Sequence, residues 1–597
     1  MDTGPLRNTP LLIFDGDCSF CRLWIDFWKR LTGDLLAYAP YQEVAAEFPQ
    51  IPFENPKRAL HLALPDGQVL TAAHAVFRSL AFVPEYAWLL WVYHHVPAFA
   101  AISEWLYRRV AAHRSFFYRV TVFLWGRRLE PAGYEITTGW FLRFLGLIYL
   151  IAFLSLEVQI TGLIGSRGIL PASKFLAAVA AGYGGEAWLR VPTVFWSGSS
   201  DALLRLVCFA GAIAAIGVMA GVARRASLAV AFVLYLSLVS IGQAFFSFQW
   251  DFLLLETGFL AIFLRPVLPR VWLLRWLLFR LMFLSGAAKL LSGDPTWRNL
   301  TALEFHYQTQ PLPTVFGWYL YHLPPDFQKA SAVFMFFVEL VVPFLMFAPR
   351  RIRFFAAAMT FVLQAIIFLT GNYTFFNLLA VALCLSLYDD AALRRFTRSK
   401  PIAPRAAPGV FQRAVTAMLF SCILLASCFQ LIEIFSLRIP RPAAGTLNWI
   451  APFGIVNTYG LFAVMTTSRS EIVVEGSNDA HTWLEYGFKY KPGDPKRPPR
   501  WVQPHQPRLD WQMWFAALGN DQGQPWFVNF MARLLEGSPE VLSLIATNPF
   551  PSSPPQYVRA QLYDYQFTSF AERRSTGNWW RRELKGEYFP VVSLKQR

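Results

Sequence analysis

Nine stretches of almost uninterrupted apolar residues run through this chain, near 140–162, 203–222, 226–247, 250–264, 271–291, 330–348, 354–370, 373–388 and 413–435. A hydrocarbon core about 30 Å thick is crossed by about 20 helical residues. Inside it only helices and closed barrels satisfy every backbone N–H and C=O. The expected centre of the fold is therefore a polytopic α-helical membrane bundle of about nine spans. The fourth and eighth runs are short, at about 15 and 16 residues, so the count carries an error of about two.

Charge sets the orientation. The net charge of +16, from 54 Lys and Arg against 38 Asp and Glu, first suggests nucleic acid. The positions argue against it, because many basic residues sit in short connections between apolar runs, and no nucleic-acid partner is expected. Only 15% of residues are charged, where soluble domains carry about 25%. Arg127 and Arg128 precede the first run, and Arg224 and Arg225 separate the second from the third. Arg265 and Arg270 follow the fourth, and Arg350, Arg351 and Arg353 the sixth. Arg394, Arg395, Arg398, Lys400 and Arg405 follow the eighth, while 248–251 and 371–373 hold no Lys or Arg. Every second connection is basic, which predicts a cytosolic N-terminus and a C-terminus on the far side of the membrane. Met1 to Pro10 is polar and shows no signal peptide, so export is expected to be driven by the internal segments.

Two flanking regions differ from the bundle at 139–435. Residues 1–128 read as a soluble α/β domain. Leu11–Phe14 is a short buried strand, a turn follows at Asp15-Gly-Asp17, and a helix runs from Cys18 to Leu31. Residues 59–64 and 68–70 read as a hairpin, and 72–82 and 98–125 as helical. Residues 436–597 lose the long apolar runs and read as a β-rich extracytoplasmic domain. In it 471–475 and 483–490 pair across a turn, Pro525–Leu535 is helical, and Tyr557–Phe567 is a strand.

Chemistry is concentrated in Cys18 and Cys21. A CxxC at a strand-to-helix junction places Cys18 at a helix N-terminus, where backbone N–H groups stabilise a thiolate. Cys18 is the expected nucleophile and Cys21 the resolving thiol. Asp15 and Asp17 oppose the thiolate electrostatically, although either could relay a proton or cap the helix. Half of a zinc site and a vestigial motif are the other readings. No second CxxC or Cys/His pair lies in this domain to complete four ligands, so no metal and no cofactor are expected. Cys208, Cys384, Cys422 and Cys428 lie in apolar runs, where cysteine is a small hydrophobe.

Ionisable residues within membrane spans are costly and are functional candidates. Glu256, Arg280, Lys289 and Glu339 fall well inside their runs, with Arg280 and Glu339 near the midplane and Glu256 and Lys289 in the outer half. One reading is two ion pairs locking helices together, with Lys289 against Glu256. The other is a polar cavity with Lys289 as its reactive amine.

Residues 1–128 resemble the DCC family of thiol-disulfide oxidoreductases, through the string Asp15-Gly-Asp-Cys-Ser-Phe-Cys21. That likeness implies a thioredoxin-like fold. Residues 139–597 resemble the lipase maturation factor family. The likeness is carried by 151–156, 165–171, Gln249–Gly258, Asn457–Phe462, Glu471–Ser477, Pro504–Phe515 and Asn548–Pro551. It implies a folding factor for exported proteins, with a lipase as a possible client, the bilayer as its medium and a possible cytosolic thiol partner. His505, Arg508, Trp511 and Trp514 are then candidates for client binding, as is the aromatic loop 292–329. The animal members imply an endoplasmic-reticulum membrane with the C-terminal domain in the lumen. The fused CxxC domain points instead to a bacterial inner membrane and a periplasmic C-terminus. Ser285–Leu290 with Trp297 is similar to a segment of the vitamin K-dependent carboxylase membrane domain, which would place a basic role on Lys289. The competing reading is a membrane redox enzyme binding a quinone-like molecule in the bundle. A cavity containing Lys289 would favour that reading, and a solid bundle with Lys289 paired to Glu256 would favour the folding factor.

Overall fold

The structure is a computed structural model that describes residues 9–49, 51, 59–130, 132–263, 268–394, 410–435, 438–519 and 524–594. Arg265, Arg395, Arg398, Lys400 and Arg405 of the basic connections lie outside the described residues. The chain divides into two compact units, 1–133 with 348–354, and 134–347 with 355–597.

The first unit is built on a four-stranded sheet of β1 (Leu11–Phe14), β2 (Ala37–Pro40), β3 (His61–Ala63) and β4 (Val69–Thr71), in the order β2-β1-β3-β4. β1 and β2 are parallel, while β3 is antiparallel to both of its neighbours. β1 is buried at all four positions, which is why it reads as an unbroken apolar run rather than an alternating one. Helix α1 (Ser19–Thr32) packs Cys21, Ile25 and Trp28 against Leu12, Phe14 and Leu62. The expected 98–125 helix is two, Phe99–Ala112 and α2 (Arg114–Trp125), broken at His113.

In the second unit seven described helices are long and apolar enough to cross a membrane. They are Glu135–Glu157, Asp201–Ala220, Arg224–Ile241, Val271–Leu291, Pro325–Leu345, Arg350–Thr370 (which begins in the first unit) and Ala417–Ile434. The two runs that were short in sequence form shorter helices, Gln249–Ile262 and Phe376–Leu387. At 1.5 Å per residue, the 14 residues of Gln249–Ile262 reach only about 21 Å. Gly258 on that helix meets Tyr149 so closely that a Cβ would occupy the place of its hydroxyl, which donates to the Leu254 carbonyl at 3.1 Å.

Residues 469–592 contribute an antiparallel sheet, order β6-β5-β7-β8, from β5 (Arg469–Ser477), β6 (Leu484–Glu485), β7 (Tyr557–Phe567) and β8 (Trp580–Val592). One hydrophobic core joins this sheet to the membrane helices without a break. It includes Phe153, Tyr235 and Leu254 of the helices together with Ile472, Val474, Phe527 and Phe589. Four separate helix connections touch the C-terminal region. The Arg533 guanidinium donates to the Gly168 carbonyl at 3.0 Å, and Arg508 donates to the Phe245 carbonyl at 2.6 Å. Arg469 donates to the Gln308 carbonyl at 2.8 Å, and the Asn372 side chain donates to the Arg500 carbonyl at 2.7 Å.

Candidate functional sites, a thiol pair and a buried polar seam

Cys18 is the N-cap of α1. Its extended backbone, φ −81° and ψ 112°, starts the helix, and its own sulfur accepts the Cys21 N–H at 3.3 Å. Neither aspartate caps the helix, against the expectation for Asp15 and Asp17. Asp15 Oδ1 instead accepts the Asp17 N–H at 3.1 Å, and the Gln42 amide donates at 3.3 Å to both carboxylates. Asp15 also holds Arg114 of α2 at 3.4 Å. The Cys18 thiol is lowered to about 6, chiefly by the hydrogen bond from the Cys21 thiol. Partial burial opposes this, and the Cys21 N–H and the Arg114 charge add to it. Cys21 is buried, and its thiol is raised far above the ordinary range because it donates to Cys18 and lies out of water. One half-exposed thiolate beside one buried thiol is the arrangement for attack followed by resolution. Beside the pair lies an apolar cavity of about 560 Å³ lined by Cys21, Trp24, Trp28, Phe77, Leu106 and Tyr107. Arg114 and Gln42 could not be found from local spacing, since they reach Asp15 from 99 and 27 residues away.

The intramembrane charges pair differently from the sequence expectation. Glu256 bonds Arg280 rather than Lys289, and Lys289 bonds Glu339, at 2.8 and 3.1 Å to its two oxygens. Depth along a helix does not specify which face a residue occupies, and here face decides. The Glu256–Arg280 pair is also a clasp. Glu256 Oε2 accepts from the Asn457 N–H at 2.9 Å and the Tyr459 hydroxyl at 2.8 Å, while Arg280 donates to the Asn457 carbonyl at 2.9 Å. A second clasp lies at Asp251. Arg508 makes a bidentate pair with it at 2.7 and 2.8 Å, donates to the Phe245 carbonyl at 2.6 Å, and stacks 3.9 Å above the Phe246 ring. Tyr235 donates to the same carboxylate. A third is Arg469, which donates to the Gln308 and Pro311 carbonyls and pairs with Glu471. Three distant strings, Gln249–Gly258, Asn457–Phe462 and Pro504–Phe515, thus converge in one polar seam between helices and sheet.

The four residues expected to bind a client are part of this seam. Arg508, Trp511 and Trp514 are 1%, 3% and 8% exposed, which prevents direct contact with a partner. Trp511 lies 4.7 Å from Trp250 and 5.8 Å from Phe248, ring to ring, and Trp514 donates to the Thr309 carbonyl at 2.8 Å. The family likeness offered this run for client binding, whereas its packing makes it internal. His505 bonds Ser155 through Nδ1 at 2.9 Å. Its imidazole is lowered to about 4, first by burial and then by Lys489 and Arg508. In the 292–329 segment Trp297, Tyr307 and Trp318 are buried, and Tyr319 is exposed. Lys289 and Glu339 line a cavity of about 420 Å³ in the helix bundle. Among the described residues no group of three His, Cys, Asp or Glu side chains gathers as a metal site would require.

The seam strings match known proteins. Residues 136–395 match the model of the lipase maturation factor transmembrane domain, and 455–590 that of the lipase maturation factor C-terminal domain. "Lipase maturation factor 2" of Xenopus laevis is 36% identical over 572 residues, covering 75% of this chain and 81% of its own. The chain belongs to the lipase maturation factor family. The human family member "Lipase maturation factor 2" is 35% identical over 604 residues, covering 78% and 83%. "Lipase maturation factor 1" of Bos taurus is 35% identical over 513 residues, covering 78% and 90%. This lipase maturation factor family member carries, at 12–120, a match to DCC1-like thiol-disulfide oxidoreductase. No solved structure matches the chain. It is an integral membrane protein. A cavity containing Lys289 is present, but these comparisons give no support to a redox enzyme built on the bundle.

Proposed function

We propose that this chain matures exported proteins, with a lipase as client, and that its thiol pair serves a separate cytosolic reaction. The observation that carries the reading is the single core that fuses the membrane helices to the C-terminal sheet, in a chain aligned with lipase maturation factors over most of both lengths. The seam strings then act on the client indirectly, by holding the sheet and the aromatic 292–329 segment in place. The proposed orientation has the N-terminus in the cytosol and the C-terminus outside. It rests on the basic connections, and on the fact that 158–200, 242–248, 292–324 and 371–375, the connections it places outside, all touch the C-terminal region. In this arrangement the two short helices each form one leg of a membrane hairpin. A bacterial inner membrane, with the sheet in the periplasm, is the proposed home.

At the thiol pair, the Cys18 thiolate attacks one sulfur of a partner disulfide. The S–S bond breaks, a mixed disulfide forms, and the partner's other sulfur leaves as a thiolate that takes a proton. Cys21 then gives up its proton and attacks Cys18 Sγ. This releases the partner's second thiol and leaves a Cys18–Cys21 disulfide, so the pair is oxidised and the partner reduced. A cytosolic dithiol, or two monothiols in turn, returns the pair to the dithiol and is itself oxidised to a disulfide.

Expression of a secreted lipase with and without the chain tests the reading. Lipase activity outside the cell should rise with the chain present. Reporters that fold only outside should be active when fused near Gly185 and at the C-terminus. A cytosolic C-terminus or unchanged lipase activity would overturn the proposal.

A further inference from the structure

The 420 Å³ cavity of the helix bundle holds a hydrogen-bond acceptor whose state follows from its neighbours. The Gln310 side-chain amide donates to the Tyr307 and Thr370 carbonyls at 3.2 and 2.8 Å, which turns its Oε1 toward Tyr373. Tyr373 donates its hydroxyl hydrogen to that oxygen at 2.9 Å. Tyr373 therefore has no hydrogen left for His306, whose Nε2 lies 3.1 Å from the hydroxyl oxygen. His306 must supply the hydrogen itself, so it is the Nε2–H tautomer and Nδ1 carries a lone pair. Nδ1 is buried with no partner among the described residues. Burial and the nearby Lys289 charge lower the imidazole to about 4 and keep it neutral. A buried acceptor left without a donor is destabilising.

The rest of the cavity says what would supply the missing donor. Its walls are apolar, with Leu281, Leu303, Phe334 and Ile367 among them. At its edge Phe316, Phe327, Ile366 and Leu369 are 40–48% exposed. Three of these four lie on Pro325–Leu345 and Arg350–Thr370, spans that are mostly unburied by protein, so the cavity is reached from lipid. Lys289 is already neutralised by Glu339 and bonded to the Ser285 carbonyl at 3.2 Å, and it sits 5.5 Å from the Trp297 ring. A carboxylate entering here gains no free cation and has no hydrogen for Nδ1. An ester or a hydrocarbon has none either. Glu339 lies on a π-helical turn, Phe337–Val341, a distortion frequent at binding sites.

We propose that this cavity binds a lipid of the acylglycerol class, with a head hydroxyl donated to His306 Nδ1 and an acyl chain along the apolar wall. The site is independent of the thiol pair and of the client reading. Native mass spectrometry of the detergent-purified full chain tests it with 1-monoolein, methyl oleate and oleic acid as probes. Monoolein should be held about tenfold more tightly than methyl oleate, equal to about 1.4 kcal/mol. His306→Phe should erase that preference. Ser331→Phe, which adds bulk to the cavity lining, should displace both esters. If His306→Phe does not accumulate, the two-ester preference of the unaltered chain and its loss in Ser331→Phe decide. Equal retention of the two esters, tighter retention of oleate, or no adduct at all, as when a water satisfies Nδ1, would overturn the proposal.

Discussion

The thiol pair and the polar seam use buried and half-buried ionisable groups in opposite ways. Around Cys18 the protein leaves a charge incompletely satisfied. One hydrogen bond from a thiol, one from an N–H and a cation held by Asp15 keep the sulfur anionic yet accessible. In the seam every carboxylate is saturated, as Glu256 is by Arg280, Asn457 and Tyr459, and none is open to a reactant. The first arrangement favours reaction and the second favours one fixed geometry. Removing one partner of a buried pair leaves the other charge uncompensated, so the seam should fail in stability where the thiol pair fails in chemistry.

The sharpest break between the two regions should come from Cys18→Ser. Disulfide reduction by the full chain should be abolished, while accumulation in the membrane and the melting temperature stay unchanged. A thiol-reporter assay and a thermal melt on the same preparation check both halves. Next in size is Arg508→Ala, which strands Asp251 and Tyr235 and should cost about 3–5 kcal/mol, read as lost accumulation or a lower melting temperature. Asp251→Leu with Arg508→Leu should recover part of that loss, since two well-packed apolar residues avoid the uncompensated charge. A smaller effect separates the two cysteines by pH. Cys18 alkylation by iodoacetamide should fall as pH drops through about 6, because a lowered thiol keeps its thiolate below the ordinary range and loses it only there. Cys21→Ala should move that midpoint upward by removing the donor. Smallest of all, Glu485→Ala, which breaks the half-exposed pair with Arg582 at 2.8 Å, should change stability by less than about 1 kcal/mol.

Much of the fold was legible, and its gaps have physical causes. The strands Leu11–Phe14 and Tyr557–Phe567 and the helix Pro525–Leu535 fall where burial and turn residues put them. β8 was not legible, because Trp580–Val592 is mostly charged on its exposed positions and Gly586, at φ 149°, sits near its register shift against β7. Cys18 and Cys21 were found as a local motif whose chemistry lies within four residues. The seam was not, because Asp251–Arg508 and Glu256–Asn457 join positions more than 200 residues apart. The family likeness offered Trp511 and Trp514 for client binding, and both are buried. A sequence shows that such a residue is aromatic, but only the fold shows what it packs against.

The central claim is that the client depends on the seam and not on the cysteines. Secreted lipase activity in cells carrying the unaltered chain, the Cys18→Ser/Cys21→Ser chain or Trp511→Ala tests it, with membrane abundance measured alongside. Trp511 is almost fully buried, and its truncation should cost about 3–5 kcal/mol at the joint of helices and sheet. The account predicts full lipase activity with the double serine chain and a severe loss with Trp511→Ala, per molecule of protein in the membrane. Loss with the serines and retention with Trp511→Ala would contradict it.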